Sequence, residues 1–416
     1  MPDNNDEPTD LSQLAVPQVG SLEATGDRFQ PYRLLDAAGA PIRAADTYFA
    51  ELVACDRSTA TLRSYGMDLL RWFRFLSALE VGWDKATRVE GRDFCRWLMA
   101  AQKPARAHWR RPDDPPAPGR SSYPAPNTMT GKRAPGKNYA PATVAHAESV
   151  LRAFYDFHLE AGTGPLVNPF PLVRGARRGR IEAHHNPLEP FAKTRRGRYR
   201  PKLTERAPRM IPDEGFDRLF AQLSSHRDRA LVAFYVSSGV RAAELLGARV
   251  GDADPGQQLI TVTRKGTRAL QQVPASPDAF VWLRLYQAEL FGEVSTGRDQ
   301  PLWWTLRRPH RPLSYDACRA MFNRANAALG ANWSLHDLRH TACYRMARDP
   351  SIPLADISWV MGHAHLSTTQ RYLNARADDV IETMLAFYAK RPDPPATVSG
   401  GYRKESIEAL FGEGQR

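Results

Sequence analysis

Apolar side chains recur every three or four positions in the stretch that follows Ser58, and this spacing puts them on one side of an α-helix. Ser58 or Thr59 is suited to cap that helix, because a hydroxyl oxygen can accept a hydrogen bond from a backbone N–H of the first turn. The pattern therefore predicts an amphipathic helix. Its apolar positions are Leu62, Tyr65, Leu69, Trp72, Phe73 and Leu76. The arginines that fall largely off this side are Arg63, Arg71 and Arg74.

Two further helices are predicted before residue 172. The apolar positions are Phe94, Trp97 and Leu98 in the first and Val144, Val150, Leu151, Phe154 and Tyr155 in the second. The second is expected to be capped near Thr143 and to end around Gly162. We therefore predict a helical N-terminal domain over residues 45–172. Residues 1–44 show weak periodicity and are predicted to be a flexible tail with little fixed structure.

Regular patterning returns at about residue 207. Two short apolar runs, 259–262 and 270–273, flank a turn and predict an antiparallel hairpin. The chain is mainly helical from there to about residue 390. The pattern therefore predicts a second, mainly α domain over residues 207–390 with a small antiparallel sheet, followed by a C-terminal tail over 391–416.

The balance of charge favours a polyanionic partner. The chain has 416 residues, with 57 Lys and Arg against 45 Asp and Glu, so its formal net charge is +12. An excess of this size suits nucleic acid binding. A basic enzyme without such a partner is the alternative that charge alone leaves open.

Two segments concentrate this positive charge. Residues 102–138 hold eight prolines and eight Lys or Arg residues, which predicts a long basic loop because proline interrupts helices and sheets. This loop is either a spacer or a segment that lies on a phosphate backbone. Residues 173–206 are interpreted as a basic interdomain linker, which is either a solvated face or, as we favour, a segment that contacts DNA. Its candidate contacts are Arg177, Arg178, Arg195, Arg196, Arg198 and Arg200.

The spacing of the cysteines and the lack of long apolar runs argue against a metal-binding protein and against a membrane protein. The four cysteines form no CxxC pair, so we predict reduced, buried thiols and no metal site. The first residues are polar and acidic, unlike a signal peptide, and no run approaches the about 18–20 apolar residues of a membrane helix. We therefore expect a cytoplasmic protein without membrane contact. The cysteines are Cys55, Cys95, Cys318 and Cys343.

Three short segments, 238–245, 336–340 and 361–372, carry arginines, histidines and a tyrosine. Phosphoryl transfer by a side chain needs a nucleophile, stabilisation of the phosphate oxygens, and groups that move protons. Two arginines can provide the stabilisation, because a guanidinium binds phosphate oxygens in a fork and keeps its charge. A tyrosine on a helix more often packs in a core, and its pKa of about 10 makes it a poor nucleophile unless Arg and His groups lie nearby.

The arginine and histidine segments have ordinary structural explanations as well. Arg241 and Glu244 are three residues apart and suit an ion pair at the start of a helix. His336, Arg339 and His340 can share one helix face, which is costly to bury unless an anion or another partner is present. A surface helix with scattered polar groups is the alternative for this segment.

Taken together, these segments resemble the tyrosine recombinase, or phage integrase, family over about residues 45–390. The family's pattern of an arginine, a hairpin lysine, His-x-x-Arg, Gly-His and a tyrosine occurs in order. The residues that carry the resemblance are Arg241, Lys265, His336, Arg339, His363 and Tyr372. Glu244 matches the acidic residue that often follows the first arginine.

The resemblance implies a role for each of these residues. The two arginines hold the phosphate, and the two histidines position it and assist proton transfer. Lys265 protonates the leaving 5′ oxygen, and Tyr372 is the nucleophile that forms a 3′-phosphotyrosyl intermediate. The implied activity is site-specific breakage and rejoining of DNA, without a metal, ATP or another cofactor.

The resemblance also implies an architecture and partners. The expected fold is mainly α, with a helical, SAM-like core-binding domain and an α-rich catalytic domain that together clamp DNA. The implied partners are double-stranded DNA and further copies of the chain, as a tetramer on two DNA sites, with room for accessory DNA-bending proteins. In the C-terminal tail, residues 407–411 either dock onto a neighbouring copy or fray.

The sequence departs from the family pattern at the hairpin and in the first domain. The hairpin usually reads Gly-Lys-Gly, with a later Arg before Val-Pro. Here Arg264 replaces the first Gly, and Gln271 stands where that Arg would be. The insertion at 102–138 is longer than in a compact core-binding domain. These departures make Lys265 the residue of the six with the weakest match.

Two other functions fit parts of the pattern. A topoisomerase-like enzyme would make the same cleavage but would relax DNA without a site requirement. A DNA-binding regulator that has lost catalysis would keep the basic surface only. The sequence does not name the target site, nor does it choose among integration, excision, transposition and dimer resolution.

Overall fold

The computed structural model describes residues 14–104, 125–134, 136–173, 196–203 and 209–363, together with positions 11, 368–369, 384–386, 388–389 and 405. The chain forms two compact units. The first comprises residues 1–126 and 133–205, and the second comprises residues 127–132 and 206–416.

The first unit begins with a small hairpin. Strands β1 (Ser21–Ala24) and β2 (Tyr32–Leu35) pair antiparallel, with Ser21 opposite Leu35. The prediction of a tail without fixed structure is therefore wrong for this part of residues 1–44. Four-residue strands are too short to show periodicity, and they are stabilised by packing: Leu34 is fully buried, and Leu22 packs against the core of this unit.

Four helices of the first unit follow the hairpin: α1 (Arg43–Ala54), α2 (Thr59–Ala78), α3 (Arg88–Ala100) and α4 (Pro141–Glu160). The predicted cap of α2 is confirmed, because the Ser58 hydroxyl accepts from the backbone N–H of Thr61. Helix α4 begins before the predicted cap at Thr143. Proline at its first position lacks the N–H that a cap would satisfy and already has a helical φ angle.

Trp72 of α2 lies at the centre of the first unit's core. Its side chain is fully buried and meets the rings of Phe94, Tyr155 and Phe170 edge to face, with centroids 5.1–6.1 Å apart. Its indole N–H donates to the Tyr155 hydroxyl at 2.9 Å, and that hydroxyl donates to the Trp83 carbonyl. These contacts join α2, α3 and α4 with the segment after α4.

The second unit contains a three-stranded antiparallel sheet and a set of helices. The strands, in the order β3-β4-β5, are β3 (Ala253–Asp254), β4 (Leu259–Thr263) and β5 (Leu270–Pro274). The helices are α5 (Asp213–Ala221), α6 (His226–Ser238), α7 (Ala242–Leu246), α8 (Pro277–Glu289), α9 (Tyr315–Ala328), α10 (Leu335–Arg348) and α11 (Leu354–Met361). The predicted mainly α fold with a small antiparallel sheet is confirmed.

Helix α6 is the central helix of the second unit. It is buried on nearly all sides and packs against α8 and α10. It ends at Gly239, whose φ of +64° is unfavourable for other residues. A Cβ there would lie 2.5 Å from the Met361 sulfur of α11, so glycine is also required for close packing. This turn sets the direction in which the chain enters α7.

Three of the four thiols are buried. Burial raises the pKa of Cys95 and of Cys343 to about 12, and that of Cys318 to about 11, so these thiols are poor nucleophiles. All four cysteines are free, but the prediction of burial is wrong for Cys55, which is exposed at the end of α1. Within the described ranges, no helix combines the length and apolar character needed to cross a membrane.

We expect replacement of Trp72 by Ala to lower the free energy of unfolding by about 3–5 kcal/mol, because it removes a fully buried ring and leaves a cavity. Urea denaturation followed by circular dichroism measures this change. Arg63→Ala, on the exposed side of the same helix, is the matched control, with an expected change within about 0.5 kcal/mol. A loss below about 1 kcal/mol for Trp72→Ala would contradict the central role of this ring.

Candidate active site

The carboxylate of Glu244 is the centre of a charged cluster in the second unit. Glu244 is buried in α7, and Oε1 accepts from Nη1 of Arg241 at 2.8 Å. Oε2 accepts from Nη1 of Arg264 at 3.0 Å, and the backbone N–H of Lys265 donates to Oε1 at 3.1 Å. Burial alone would raise the pKa of Glu244, but these N–H donors and the two guanidinium groups hold it below its usual value. Glu244 is therefore ionised and orients both arginines.

Arg241 is held from a second side. Its Nη2 donates to the carbonyl oxygen of Gly362 at 3.3 Å, and about a third of its side chain remains exposed. Gly362 ends α11 with a φ of +60°, so its carbonyl turns away from the helix axis. The predicted ion pair between Arg241 and Glu244 is therefore present, and it is one part of a cluster that also contains Arg264 and the end of α11.

Arg339 of α10 is deeply buried and has carbonyl partners. Its Nη1 donates to the Gly239 oxygen and its Nη2 to the Met361 oxygen, both at 2.5 Å. Both oxygens lie at helix ends, where backbone carbonyls lack helical partners and carry partial negative charge. Arg241 and Arg339 thus bind the successive carbonyls of Gly362 and Met361, which brings the two predicted phosphate-binding arginines together.

His363 follows this turn directly. Its Nδ1 lies 2.8 Å from the hydroxyl of Thr369, a fully buried residue that sequence reasoning did not select. Burial, together with the nearby cations of Arg339 and Arg241, lowers the pKa of His363 to about 4. The imidazole is therefore neutral at pH 7. A Thr six residues after a Gly-His pair is a local signal that could have indicated this contact.

His336 and His340 lie one turn apart on α10. Their rings meet edge to face with centroids 4.3 Å apart. Partial burial lowers the pKa of His336, and the cation of Arg339 acts in the same direction. His336, Arg339 and His340 do not share one environment, because Arg339 is buried against carbonyls whereas His336 is only partly covered and remains accessible to solvent.

The two departures in the hairpin contact each other. Nε of Arg264, which directly follows β4, donates to Oε1 of Gln271 in β5 at 2.6 Å. Arg264 also donates to the Val360 carbonyl, and Gln271 donates to the Trp359 carbonyl, so both hold the end of α11. The side chain of Lys265 is exposed at the turn. Arg264 is thus a site residue that the sequence showed only as an unexpected basic neighbour of Lys265.

Tyr372 lies outside the described residues. Positions 368 and 369 are helical. Thr369, which contacts His363, precedes Tyr372 by three residues in the sequence. The role of Tyr372 stays a prediction.

The candidate DNA-binding arginines of α2 have different surroundings. Arg63 is exposed, whereas Arg71 pairs with the buried carboxylate of Asp68 and lies over the ring of Tyr139. The guanidinium of Arg74 donates to backbone carbonyls before β1, at Gln18, Val19 and Gly20. These bonds give Arg74 a structural role, since they fix the segment that leads into the hairpin.

The linker arginines are described only in part. The exposed ones are Arg196, Arg198 and Arg200, all within the first unit. The candidates outside the described residues are Arg177, Arg178 and Arg195. Contact of these side chains with DNA stays a prediction. In the part of the chain that the structure describes, no group of three or more His, Cys, Asp or Glu side chains is arranged to hold a metal ion.

Comparison with known proteins gives two family-model matches. Residues 211–378 match the phage integrase family, and residues 45–111 match the phage integrase N-terminal SAM-like domain. A tyrosine recombinase XerC of Chromobacterium violaceum is 29% identical over 182 residues, which is 42% of this chain and 59% of that protein. A tyrosine recombinase XerD of Neisseria meningitidis is 26% identical, over 41% of this chain and 60% of that protein. The chain thus spans about 60% of the length of these relatives.

Solved structures show the same fold at low identity. A lambda integrase dimer bound to a COC′ core site matches with a TM-score of 0.52 and 16% identity, over 80% of this chain and 77% of that one. The XerH recombinase bound to a palindromic difH substrate matches with a TM-score of 0.52 and 12% identity, over 83% and 85%. At these identities the likeness shows the fold alone.

We expect Glu244→Gln to lower the free energy of unfolding by about 3–5 kcal/mol, because it leaves the buried guanidinium of Arg264 without its charged partner. Chemical denaturation of the full chain measures the loss. Glu214→Gln removes an exposed carboxylate from the same unit and serves as the control. Equal stability of the two variants would mean that the cluster does not depend on the Glu244 charge.

We expect His363 to titrate near pH 4, well below the ordinary histidine value of about 6.5. The unfolded chain then takes up this proton at higher pH than the folded chain. The stabilising contribution is therefore complete above about pH 6.5 and is lost as the pH falls toward about 4. Imidazole signals followed by NMR, with His363→Gln to assign the resonance, measure the pKa. A value at or above 6.5 would contradict the assigned surroundings.

Proposed function

Because the chain belongs to the phage integrase family of tyrosine recombinases, we propose that it cleaves and rejoins double-stranded DNA at specific sites through a covalent bond to Tyr372. One observation supports this proposal above the others. The guanidinium groups of Arg241 and Arg339 bind successive carbonyls, those of Gly362 and Met361, beside a neutral His363. Such an arrangement is suited to a phosphodiester, because fixed positive charge stabilises the oxygens of the pentacovalent transition state.

The proposed reaction begins with attack of the Tyr372 oxygen on the scissile phosphorus. A P–O bond to tyrosine forms, and the bond to the 5′ oxygen breaks, which leaves a 3′-phosphotyrosyl linkage. The phenol proton passes to a neutral imidazole, for which His363 is the candidate, and Lys265 protonates the leaving oxygen. Attack by the 5′ hydroxyl of a partner strand reverses these steps and rejoins the DNA. The linkage conserves the bond energy, so no step as written uses ATP or a metal ion.

Double-stranded DNA is the proposed partner for both units. The net charge of +12 and the exposed Arg63, Arg196, Arg198 and Arg200 support phosphate contacts, which would make binding sensitive to salt. The lambda integrase and XerH structures are complexes with DNA. By analogy we propose that copies of this chain assemble as a tetramer on two DNA sites, in the cytoplasm, with or without accessory DNA-bending proteins.

The proposal is tested by covalent capture. The protein is incubated with fragments that flank its own gene, denatured, and any attached DNA is sequenced. We expect adducts at one recurrent sequence, absent in Tyr372→Phe because only the nucleophilic hydroxyl is removed. Tyr388→Phe, which removes the hydroxyl of an exposed tyrosine nearby in the sequence, is expected to keep them.

The other outcomes of this experiment separate the rival functions. Adducts at scattered sequences, with relaxation of supercoiled plasmid, would support topoisomerase-like activity. Salt-sensitive DNA binding without any adduct would support a regulator that has lost catalysis. Adducts that persist in Tyr372→Phe would assign the nucleophile to another residue.

A further inference from the structure

The basic insertion contains a short segment that folds with the second unit. Residues 127–132 lie in the sequence between two parts of the first unit, yet they belong to the second. The segment forms a tight turn, in which the backbone N–H of Asn127 donates to the Lys132 carbonyl at 3.0 Å and Gly131 has a φ of +60°. The sequence left open whether the insertion is a spacer. Residues 127–132 are not a spacer, because they fold with the second unit.

Side-chain hydrogen bonds fix this turn to the loop before α10. The amide of Asn127 donates to the Gly330 carbonyl at 2.7 Å, and the hydroxyl of Thr130 donates to the side-chain oxygen of Asn332. The amide of Asn332 in turn donates to the Lys132 carbonyl at 3.0 Å. Side chains of the turn donate to the loop, and a side chain of the loop donates to the turn. These reciprocal bonds give the turn one defined position in the second unit.

This position brings Lys132 to the start of α10. Its Nζ lies 2.9 Å from Oδ2 of Asp337, and the same oxygen accepts from the backbone N–H and the hydroxyl of Ser334. Asp337 caps the first turn of the helix, and His336 and Arg339 lie in that turn or directly after it. The Asp337 side chain is 12% exposed and that of Lys132 is 38% exposed, so water screens the pair only in part.

We propose that Lys132 is a positioning residue of the active site, which fixes the first turn of α10 through Asp337 and thereby holds His336 and Arg339 in place for catalysis. This inference rests on the proposed function. The electrostatics agree with the geometry: burial alone would raise the pKa of Asp337, but Lys132 and Ser334 lower it, so the carboxylate is charged beside its lysine.

Lys132 pairs with the carboxylate of Asp337, which sets its proposed role apart from that of a lysine that binds DNA phosphate. A lysine that binds the DNA backbone contributes to affinity and to salt dependence. A lysine that orders a catalytic turn contributes to the rate of cleavage at saturating DNA, since a small misplacement of reacting groups slows the chemical step. The two roles therefore separate when affinity and the cleavage rate are measured on the same variants.

The first test uses single-turnover adduct formation on the captured site, together with DNA affinity by salt titration. We expect Lys132→Met to slow cleavage at least about tenfold and to change affinity less than about threefold. Lys132→Arg keeps the charge and is expected to restore most of the rate. Arg133→Met removes the same charge one position on, from an exposed side chain, and is expected to leave the rate at saturation unchanged.

Three results of this test would overturn the inference. If Lys132→Met weakens binding and leaves the cleavage rate unchanged, the residue is a phosphate contact. If Lys132→Met and Arg133→Met slow cleavage equally, the effect is one of general charge. A normal rate in Lys132→Met with unaltered binding would show that the ion pair has no catalytic consequence.

A second measurement does not require cleavage and so separates this inference from the proposed function. Amide hydrogen exchange of the free protein reports the order of residues 334–339. We expect exchange there to accelerate at least about threefold in Lys132→Met and to stay unchanged in Lys132→Arg and Arg133→Met. Unchanged exchange in Lys132→Met would refute the positioning role even if the wild-type chain formed no adduct.

Discussion

The site depends on how one buried carboxylate and a few backbone carbonyls hold three guanidinium groups close together. Like charges that leave water repel each other and lose hydration, so such a cluster is unstable without compensation. Glu244 supplies a full negative charge to Arg241 and Arg264. Arg339 receives only partial charges, from the carbonyls that end α6 and α11. The cluster therefore stays net positive, which suits it to an anionic substrate.

Two left-handed glycines make those carbonyls available. Gly239 and Gly362 end α6 and α11 with φ near +60°, so the chain turns sharply beside the arginines. A Cβ on Gly362 would lie 2.9 Å from Nε of Arg264, and one on Gly239 would meet Met361. Glycine is needed at both positions for backbone conformation and for space. The turns thus connect the packing of α6 with the placement of His363.

Local chemistry was predictable from the sequence, whereas contacts between distant segments were not. The start of α2 at Ser58 and the pairing of Arg241 with Glu244 depend on residues three positions apart, which a sequence shows directly. The β1–β2 hairpin depends on burial of Leu34 in a core to which several helices contribute, and β2 packs against α1 and α2. The carbonyl partners of Arg339 lie 100 and 22 residues away, so spacing on its helix could not reveal them.

The hairpin shows how two apparent departures from a pattern can be one coupled change. Read separately, Arg264 and Gln271 weaken the match around Lys265. In the folded chain their side chains are hydrogen-bonded to each other, Arg264 binds Glu244, and both bind the end of α11. The residue just after β4 thus supplies a guanidinium that binds both Glu244 and the end of α11. The departures therefore leave the link between the Lys265 turn and the arginine cluster intact, since the Lys265 backbone N–H still binds Glu244.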